Sequence, residues 1–329
     1  MTLAQLFGIG VLGCLGLVGS PKGWAAPDCP PEPAAPTPAQ REQVKAQARD
    51  RGFLWRVSKA DRVSYLYGTL HVGKLSWSHP GPTVRRALQD SDVLALELDM
   101  QDPDIQAGLQ QGMTASASAP PLPAPLAQRL QAQLDAVCLS PEQQAQLRSA
   151  YRPEIVLITV TMLSVRRDGL EAAHGADQVL GTLAHEGGQT VLSLEDPASQ
   201  MALLSADSPE ALHEMLDVGL RELEDQSARR GVRRVAAVWA DSRHAELARY
   251  AEWCDCMDTP AQREQMVQLL DERNVRMAER IDTLHASGQR VFVAVGSLHM
   301  VGPMGLPALL GQRGYQVERV DFGGSKPRR

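Results

Sequence analysis

The same short pattern occurs once in each half of this chain, and it constrains the fold more than any other feature. In the first half an apolar segment at 63–67 runs into Gly-Thr-Leu-His at 68–71, and in the second half the segment 291–295 runs into Gly-Ser-Leu-His at 296–299. A helix-like stretch and another apolar segment follow each motif. Each copy therefore predicts a strand, a GxLH turn, a helix and a second strand.

This pattern predicts where the motif histidines, His71 and His299, lie in the fold. Glycine accepts backbone conformations that its β-branched neighbours cannot, so each motif glycine predicts a strand that ends in a tight turn. Open α/β sheets bind their ligands at the carboxyl ends of strands. If the two copies are halves of one sheet, we expect the two histidines to face each other across one crevice.

Length and charge exclude some classes of protein. The 329 residues are 43% hydrophobic, which is enough for a sizeable core, and length alone allows one large domain or two smaller ones. The net charge of -6 provides no basic field for a nucleic-acid backbone. We therefore expect no nucleic-acid partner.

The N-terminus predicts export. Residues 3–18 are almost wholly apolar and small residues follow, so we interpret 1–25 as a signal peptide cleaved after Ala25. The alternatives are an uncleaved anchor, although the run is shorter than the roughly 20 residues that span a bilayer, and a lipoprotein with its lipid on Cys14. We expect a periplasmic or secreted protein with no stable transmembrane segment after leader removal.

Cysteine usage agrees with an oxidising compartment. Cleavage of the leader leaves an even number of cysteines, namely Cys29, Cys138, Cys254 and Cys256. One or two disulfides are expected, with the connectivity left open. A metal site at Cys254 and Cys256 is disfavoured, because structural zinc sites space paired cysteines more widely.

Between the two copies the sequence predicts helices, among them one over Pro209–Arg229 and one from Val235 that continues through Tyr250.

Other segments predict strands, a loop and a further helix. Segments 53–57 and 63–67 predict a β-hairpin before the first motif, and 93–98 is apolar enough for a strand buried on both faces. The polar and Pro-rich stretch Gln101–Pro125 predicts a mobile loop, either a lid or a plain connector. The apolar stretch Pro153–Arg166 fits strand or helix, and its length favours helix.

The long helix predicted from Pro260 carries a cation in its apolar stripe. Arg273 and Asn274 fill a gap between Leu270 and Met277. A buried cation is costly unless it is paired, so this arginine predicts an acidic partner. The candidate partners are Glu97, Asp99 and Glu195. The other interpretation is a slightly rotated stripe from which Arg273 reaches water.

The remaining chemistry lies in histidines and carboxylates. No HExxH, GxSxG, P-loop or CxxC motif is present, since the His-Glu pair at 185–186 is followed by two glycines. Two imidazoles with one carboxylate form a catalytic ligand set for a divalent cation. The other interpretation is that His71 and His299 only cap their turns. Five histidines without such context are expected to be solvated: His79, His174, His213, His244 and His285.

Several segments together resemble the TraB/GumN family, which is related to the Tiki-type metalloproteases and more distantly to the erythromycin-esterase and ChaN-like proteins. They are FLWRVS, YLYGTLHVGK, DVLALELD, the Gly175-Ala176-Asp177 helix start, LSLED with Gln200, VWADSRHAEL, DERN and VFVAVGSLHMVGPMGLPALLGQRGYQVERV. The resemblance implies a mixed α/β fold, a site built from both GxxH motifs and an acidic residue, and the metal-dependent peptide cleavage attributed to the Tiki branch. By position, His71, His299, Glu97 and the Arg273-Asn274 pair correspond to the family's site.

We predict one α/β domain at 53–322, with a mixed central sheet built from two strand-GxxH-helix-strand units and a helical middle segment packed around it. The leader at 1–25 and a linker with a short helix at 26–52 precede it, and a tail at 323–329 follows. The predicted function is a hydrolase, peptidase-like, that requires Mn, Co or Zn and acts on a peptide or small molecule. The alternatives are a non-catalytic protein that sequesters a peptide or haem, and an envelope-interaction protein.

The predicted roles divide the site residues into two groups. His71, His299 and Glu97 bind the metal, and Glu97 is also the candidate general base. Arg273 and Asn274 orient the carboxylate or stabilise an oxyanion. Glu195 is counted with the catalytic residues without an assigned role. The sequence leaves the oligomeric state open.

Overall fold

A computed structural model of the chain describes residues 29–30, 35–116, 119–254 and 256–322. Within these residues six strands form one mixed sheet, and helices pack against it. The predicted mixed α/β class is confirmed. The predicted leader, residues 26–28 and 31–34 of the predicted linker, and the predicted tail lie outside the described residues.

The strand order places the two motif strands side by side. The strands are β1 (Phe53–Lys59), β2 (Arg62–Thr69), β3 (Val93–Leu96), β4 (Thr190–Ser193), β5 (Val291–Gly296) and β6 (Gln316–Val320). Their order across the sheet is β4-β3-β5-β2-β1-β6. Strand β1 is antiparallel to both of its neighbours, whereas the other neighbouring pairs are parallel. The carboxyl ends of β2 and β5 therefore lie next to each other.

The β1–β2 hairpin follows from its two turn residues. Ala60 and Asp61 have φ of 51° and 61°, and Lys59 pairs with Arg62 across them. Two consecutive left-handed residues form the type I′ turn, whose twist matches that of the flanking strands. The predicted hairpin is confirmed, with strands longer than the apolar segments alone indicated.

The central strands are buried on both faces. Every residue of β3 and β5 is buried, as their continuous apolar composition predicts. The edge strand β6 is largely exposed, in agreement with its polar residues. The core of the protein therefore lies around β3, β5 and β2, whose carboxyl ends carry the candidate site residues.

The helices fill the connections between strands. They are α1 (Pro38–Ala46), α2 (Pro82–Gln89), α3 (Pro103–Met113), α4 (Ala124–Ala136), α5 (Pro141–Ala150), α6 (Pro153–Ser164), α7 (Ala176–Glu186), α8 (Pro197–Leu204), α9 (Pro209–Glu224), α10 (Ser227–Ala240), α11 (His244–Leu247), α12 (Pro260–Met266), α13 (Glu272–Ala286) and α14 (Leu306–Gln312). Many begin with proline after a Ser, Thr or Asp cap, which fits both the fixed φ of proline and its missing N–H. The helical interpretation of the apolar stretch from Pro153 is confirmed.

The predicted loop at Gln101–Pro125 is wrong over much of its length. Helix α3 occupies Pro103–Met113, and the side chain of Asp102 caps it by accepting a hydrogen bond from the Asp104 N–H. Polar composition favoured a loop, but the Asp-Pro pair at 102–103 is a strong helix start. Residues 117–118 lie outside the described part of the chain.

Two predicted helices have different ends in the structure. The helix expected over Pro209–Arg229 ends at Glu224, because Gln226 adopts a left-handed φ of 62° before α10 begins. The helix expected to continue through Tyr250 ends at Ala240. Only the short α11 follows it, after a left-handed Ser242.

Two disulfides fix the connectivity that the sequence left open. Cys29 pairs with Cys138, and Cys254 pairs with Cys256. The first joins the N-terminal region to the segment after α4, whereas the second closes a loop of three residues. In the part of the chain that the structure describes, no helix has the length and apolar character needed to cross a membrane.

Candidate functional site

The two GxLH turns meet at the ends of β2 and β5. Thr69 lies opposite Gly296 in the parallel pairing, and the Ser297 hydroxyl donates to the Thr69 carbonyl at 2.8 Å. A Cβ atom at Gly68 would lie 3.1 Å from the Ser297 Cα atom. The glycine therefore permits the close approach that brings the two turns together.

His71 is held by a helix that lies more than one hundred residues further along the chain. Its Nδ1 atom lies 3.0 Å from Asp177 Oδ2, at the first turn of α7. The Ala176 N–H donates to the Leu70 carbonyl at 2.8 Å, and a Cβ atom at Gly175 would lie 2.7 Å from the His71 carbonyl oxygen. The imidazole is buried, and its Nε2 atom has no hydrogen-bond partner among the described residues.

His299 is oriented in a similar way by α13. Asn274 donates through Nδ2 to the Met304 carbonyl at 2.9 Å, so its Oδ1 atom faces His299 Nδ1 at 2.7 Å. That oxygen can only accept, which places the imidazole proton on Nδ1. The Nε2 atom of this fully buried ring is left without a partner in the described part of the chain.

Arg273 lies between two carboxylates. Its Nη2 atom donates to Glu97 Oε2 at 2.7 Å and to Glu195 Oε2 at 2.6 Å, and its Nε atom donates to Glu195 Oε1 at 2.8 Å. The side chain is 0% exposed, so the predicted acidic partners at 97 and 195 are confirmed and the interpretation in which Arg273 reaches water is wrong. Asp99 is not a partner, because His185 Nε2 lies 2.9 Å from its carboxylate.

The helix that carries Arg273 changes its winding just before it. Residues Val267–Asp271 form a π-helical segment between α12 and α13. Arg273 Nη1 donates to the Leu269 carbonyl in that segment at 3.1 Å. Because π-helical turns release a backbone carbonyl from its usual bond, this segment provides a third acceptor for the buried guanidinium.

Gln200 completes the acidic cluster, which we define as Glu97, Glu195, Arg273 and Gln200. Its Nε2 atom donates to Glu195 Oε2 at 3.0 Å and to Glu97 Oε2 at 3.4 Å. The Gly296 N–H, from the second GxLH motif, donates to Glu97 Oε1 at 2.7 Å. Glu97 therefore connects the acidic cluster to the paired turns.

The surroundings shift the pKa values of these groups. Burial raises the pKa of Glu97, and the neighbouring Glu195 adds to this effect while Arg273 opposes it. Burial lowers the pKa of His299 well below its usual value, with further lowering by Arg273 and His71. Burial also lowers the pKa of His71, but the carboxylate of Asp177 outweighs it, so the net shift is upward. His299 is therefore neutral and presents an Nε2 lone pair.

The donor atoms test whether a metal ion fits. His71 and His299 each offer an Nε2 atom while Nδ1 is engaged elsewhere, which is the usual arrangement of metal-binding histidines. Glu97 Oε1 lies 3.8 Å from His299 Nε2 and accepts one backbone hydrogen bond, which leaves it a second acceptor site. Among the described residues, however, no group of three or more His, Cys, Asp or Glu side chains already has the geometry of a metal site. Both histidines therefore present an Nε2 atom without a partner, but the described residues do not form a complete metal site.

A comparison with protein-family models identifies the chain. The model of the TraB/PrgY/gumN family matches residues 53–319, which is most of the chain. The chain belongs to the TraB/PrgY/gumN family. No curated protein and no solved structure gives a significant match.

The family match spans every residue of the paired turns and of the acidic cluster in this TraB/PrgY/gumN member. Sequence reasoning missed the role of Asp177, although the Gly175-Ala176-Asp177 segment had been recognised as a helix start. An acidic residue in the first turn of a helix is usually explained by its favourable interaction with the helix dipole. For this reason the sequence did not mark Asp177 as a partner of His71. A glycine two residues earlier that allows close backbone approach was the available signal.

One histidine that was expected to be solvated is buried. His285 is 2% exposed, its Nε2–H donates to the Lys59 carbonyl at 3.0 Å, and Ser64 Oγ lies 2.9 Å from its Nδ1 atom. Ser64 accepts from the Val291 N–H, so its hydroxyl donates to the ring. The prediction for His285 was wrong. This residue lies on the inner face of α13, and its hydrogen bonds join the helix to the sheet. The others are only half-buried: His79, His174, His213 and His244.

Proposed function

We propose that this protein is a divalent-metal-dependent hydrolase, peptidase-like, whose site comprises His71, His299 and Glu97. The observation that carries the proposal is the pair of buried Nε2 atoms without partners, each on a ring whose Nδ1 is held by a polar side chain. Leaving a buried polar atom unsatisfied costs on the order of 1–3 kcal/mol, so two such atoms on adjacent turns favour a bound group.

The donor set supports a transition metal. Neutral imidazole and carboxylate suit Mn, Co and Zn, and catalytic sites often combine two histidines with one glutamate. His71 and His299 would supply the nitrogens and Glu97 Oε1 the oxygen. A divalent ion held there would act as a Lewis acid that polarises a carbonyl and activates water.

The neighbouring residues orient and tune these groups. Burial raises the pKa of Glu97, which makes its carboxylate a stronger proton acceptor, as a general base requires. Arg273 donates to both glutamates and to the Leu269 carbonyl, so we assign it the positioning of Glu97 rather than the stabilisation of an oxyanion. Asn274 fixes the tautomer of His299.

We also propose that the protein is exported and acts as a single domain at 53–322. The apolar leader supports export, and so does the presence of two disulfides, which persist in oxidising compartments. The signal peptide at 1–25, the linker at 26–52 and the tail at 323–329 belong to the same proposal.

The proposed function is tested by peptide hydrolysis. The protein from Ala26 onward is incubated with a library of internally quenched peptides and with Mn, Co or Zn in turn. We expect cleavage that a chelator abolishes and that falls at least about a hundredfold in His71→Ala and in Glu97→Gln. His213→Ala, on α9, is the matched control and should retain full activity.

Two results would contradict the proposal. Cleavage that persists in the presence of chelator and in His71→Ala would show that hydrolysis does not use the paired turns. Stoichiometric peptide binding without cleavage, or a Soret band in protein supplied with haem, would favour a binding protein instead.

A further inference from the structure

A small pocket with two arginines lies apart from the acidic cluster. It is formed by the segment before β1, the segment 77–81, the start of α7 and the end of α10, and its volume is about 20 Å³. The lining residues that matter here are Arg49, Arg51, Trp77, His79 and Trp239. Cations line one part of the pocket and indole rings line another.

Arg51 is buried, and no acidic side chain among the described residues forms an ion pair with it. Its residue is only 8% exposed, and its Nε atom has no hydrogen-bond partner among the described residues. Its Nη1 atom donates to the Arg49 carbonyl at 3.2 Å, and its guanidinium carbon lies 5.9 Å from the centre of the Trp77 ring. Within the described part of the chain it forms no ion pair. A buried guanidinium of this kind is costly unless an anion binds to it.

The nearby carboxylates are already used. Asp50 accepts hydrogen bonds from the Thr83 and Val84 N–H groups at 3.0 Å each, at the start of α2. Asp241 lies 3.8 Å from Arg49, and both side chains of that pair are more than half exposed. Neither carboxylate forms an ion pair with Arg51, so the guanidinium remains available to a ligand.

Two arginines and a histidine line this pocket, although the whole chain carries a net charge of -6. Burial lowers the pKa of Arg51, and the adjacent Arg49 lowers it further. Burial also lowers the pKa of His79, with further lowering by Arg85 and Lys45. Burial is the largest cause of both shifts, and an acidic residue partly opposes each of them: Asp241 for Arg51 and Glu42 for His79.

We propose that this pocket binds the carboxylate group of a small organic acid. Arg51 Nε and the Arg49 guanidinium would donate to the carboxylate oxygens, and the organic part would lie outside the enclosed volume, against the half-buried ring of Trp77. A planar carboxylate matches the fork of an arginine. The small volume admits little more than the head group of such an acid. The proposal does not depend on the hydrolase function, since it uses different residues.

The test is a titration of the metal-free protein from Ala26 onward. Because Trp77 and Trp239 line the pocket, tryptophan fluorescence reports binding, and calorimetry measures the affinity. Benzoate is compared with benzamide, which has the same shape without the charge, and with inorganic phosphate. We expect saturable binding of benzoate alone. Equal binding of benzamide, or binding of phosphate without benzoate, would overturn the proposal.

Variants locate the site. We expect Arg51→Gln to weaken benzoate binding by about tenfold or more, because it removes charged hydrogen bonds. Arg49→Gln should give a smaller loss, and its exposed position makes it the safer variant for folding. Arg56→Gln, at a half-exposed arginine on β1, is the control and should bind like the wild type. Unchanged affinity in Arg49→Gln and Arg51→Gln would overturn the proposal.

Discussion

At the scale of single residues, the acidic cluster is arranged around one buried cation. Arg273 is fully buried. Burial lowers its pKa, but the raising effect of Glu97 and Glu195 is larger, so the guanidinium remains charged. The two glutamates would repel each other without it. The buried charges of the cluster therefore compensate one another only when all of them are present. Removal of one charged member leaves the others buried without full compensation, which destabilises the fold.

Replacement of Arg273 tests this balance. We expect Arg273→Met to lower the free energy of unfolding by about 3–5 kcal/mol, because two buried carboxylates lose their counterion. Adding Glu97→Gln and Glu195→Gln should recover part of the loss. Chemical denaturation measures both. Arg56→Met, which breaks an exposed pair with Glu318, is the control and should cost less than about 1 kcal/mol. A similarly small loss in Arg273→Met would contradict this description of the cluster.

At this scale, prediction from the sequence succeeded where a local pattern requires an interaction partner. A cation within an apolar helical stripe requires a carboxylate, and two of the three candidates for Arg273 are its partners. Gly175 signals a close backbone approach, but the partners of Asp177 and Asn274 could not be predicted, because they depend on how α7 and α13 lie against the turns. Periodicity within one helix does not contain that information.

At the scale of elements, the duplicated pattern predicted a shared edge for both motif histidines, and the parallel pairing of β2 with β5 produces it. The strand order was not predictable. A chain segment specifies that it forms a strand through its own composition, but its neighbours in the sheet depend on distant packing. Helix α3 was not predicted for a different reason. The polar composition of its segment favours a loop, although the Asp-Pro pair before it is a helix start signal.

Helix α9 provides a pH-dependent prediction. Burial raises the pKa of Glu222 from 4.5 to about 7. A carboxyl whose pKa is raised on folding favours the folded state when it is protonated, so this contribution is lost as the pH rises from about 4.5 through 7. We expect Glu222→Gln to match the wild type below that window and to be more stable above it, by on the order of 1–2 kcal/mol.

The measurement is thermal or chemical unfolding of both proteins between pH 4 and pH 8, a range set to span the window in which Glu222 titrates. Glu214→Gln, an exposed glutamate on the same helix, is the control and should track the wild type at every pH. A stability difference for Glu222→Gln that does not change with pH would rule out this titration.

At the scale of the whole molecule, the two disulfides differ in what they constrain. Cys29–Cys138 joins residues 109 positions apart, whereas Cys254–Cys256 joins residues 2 positions apart. A long loop loses more entropy on closure, so the first bond restricts the unfolded chain far more.

Paired alanine variants separate the two bonds. We expect Cys29→Ala with Cys138→Ala to lower the free energy of unfolding by about 4–5 kcal/mol on loop-closure entropy. Cys254→Ala with Cys256→Ala is the matched control and should cost much less. Equal losses in the two double variants would show that local packing, rather than chain closure, is what these bonds contribute.

The central claim is that the paired turns form a metal site, and metal content tests it most directly. Elemental analysis is performed on the protein from Ala26 onward, as wild type and as the His71→Ala, His299→Ala double variant, after incubation with Mn, Co and Zn and removal of free ion. We predict about one divalent ion per chain in the wild type and none in the double variant. Equal metal in both proteins, or none in the wild type after incubation, would contradict the claim.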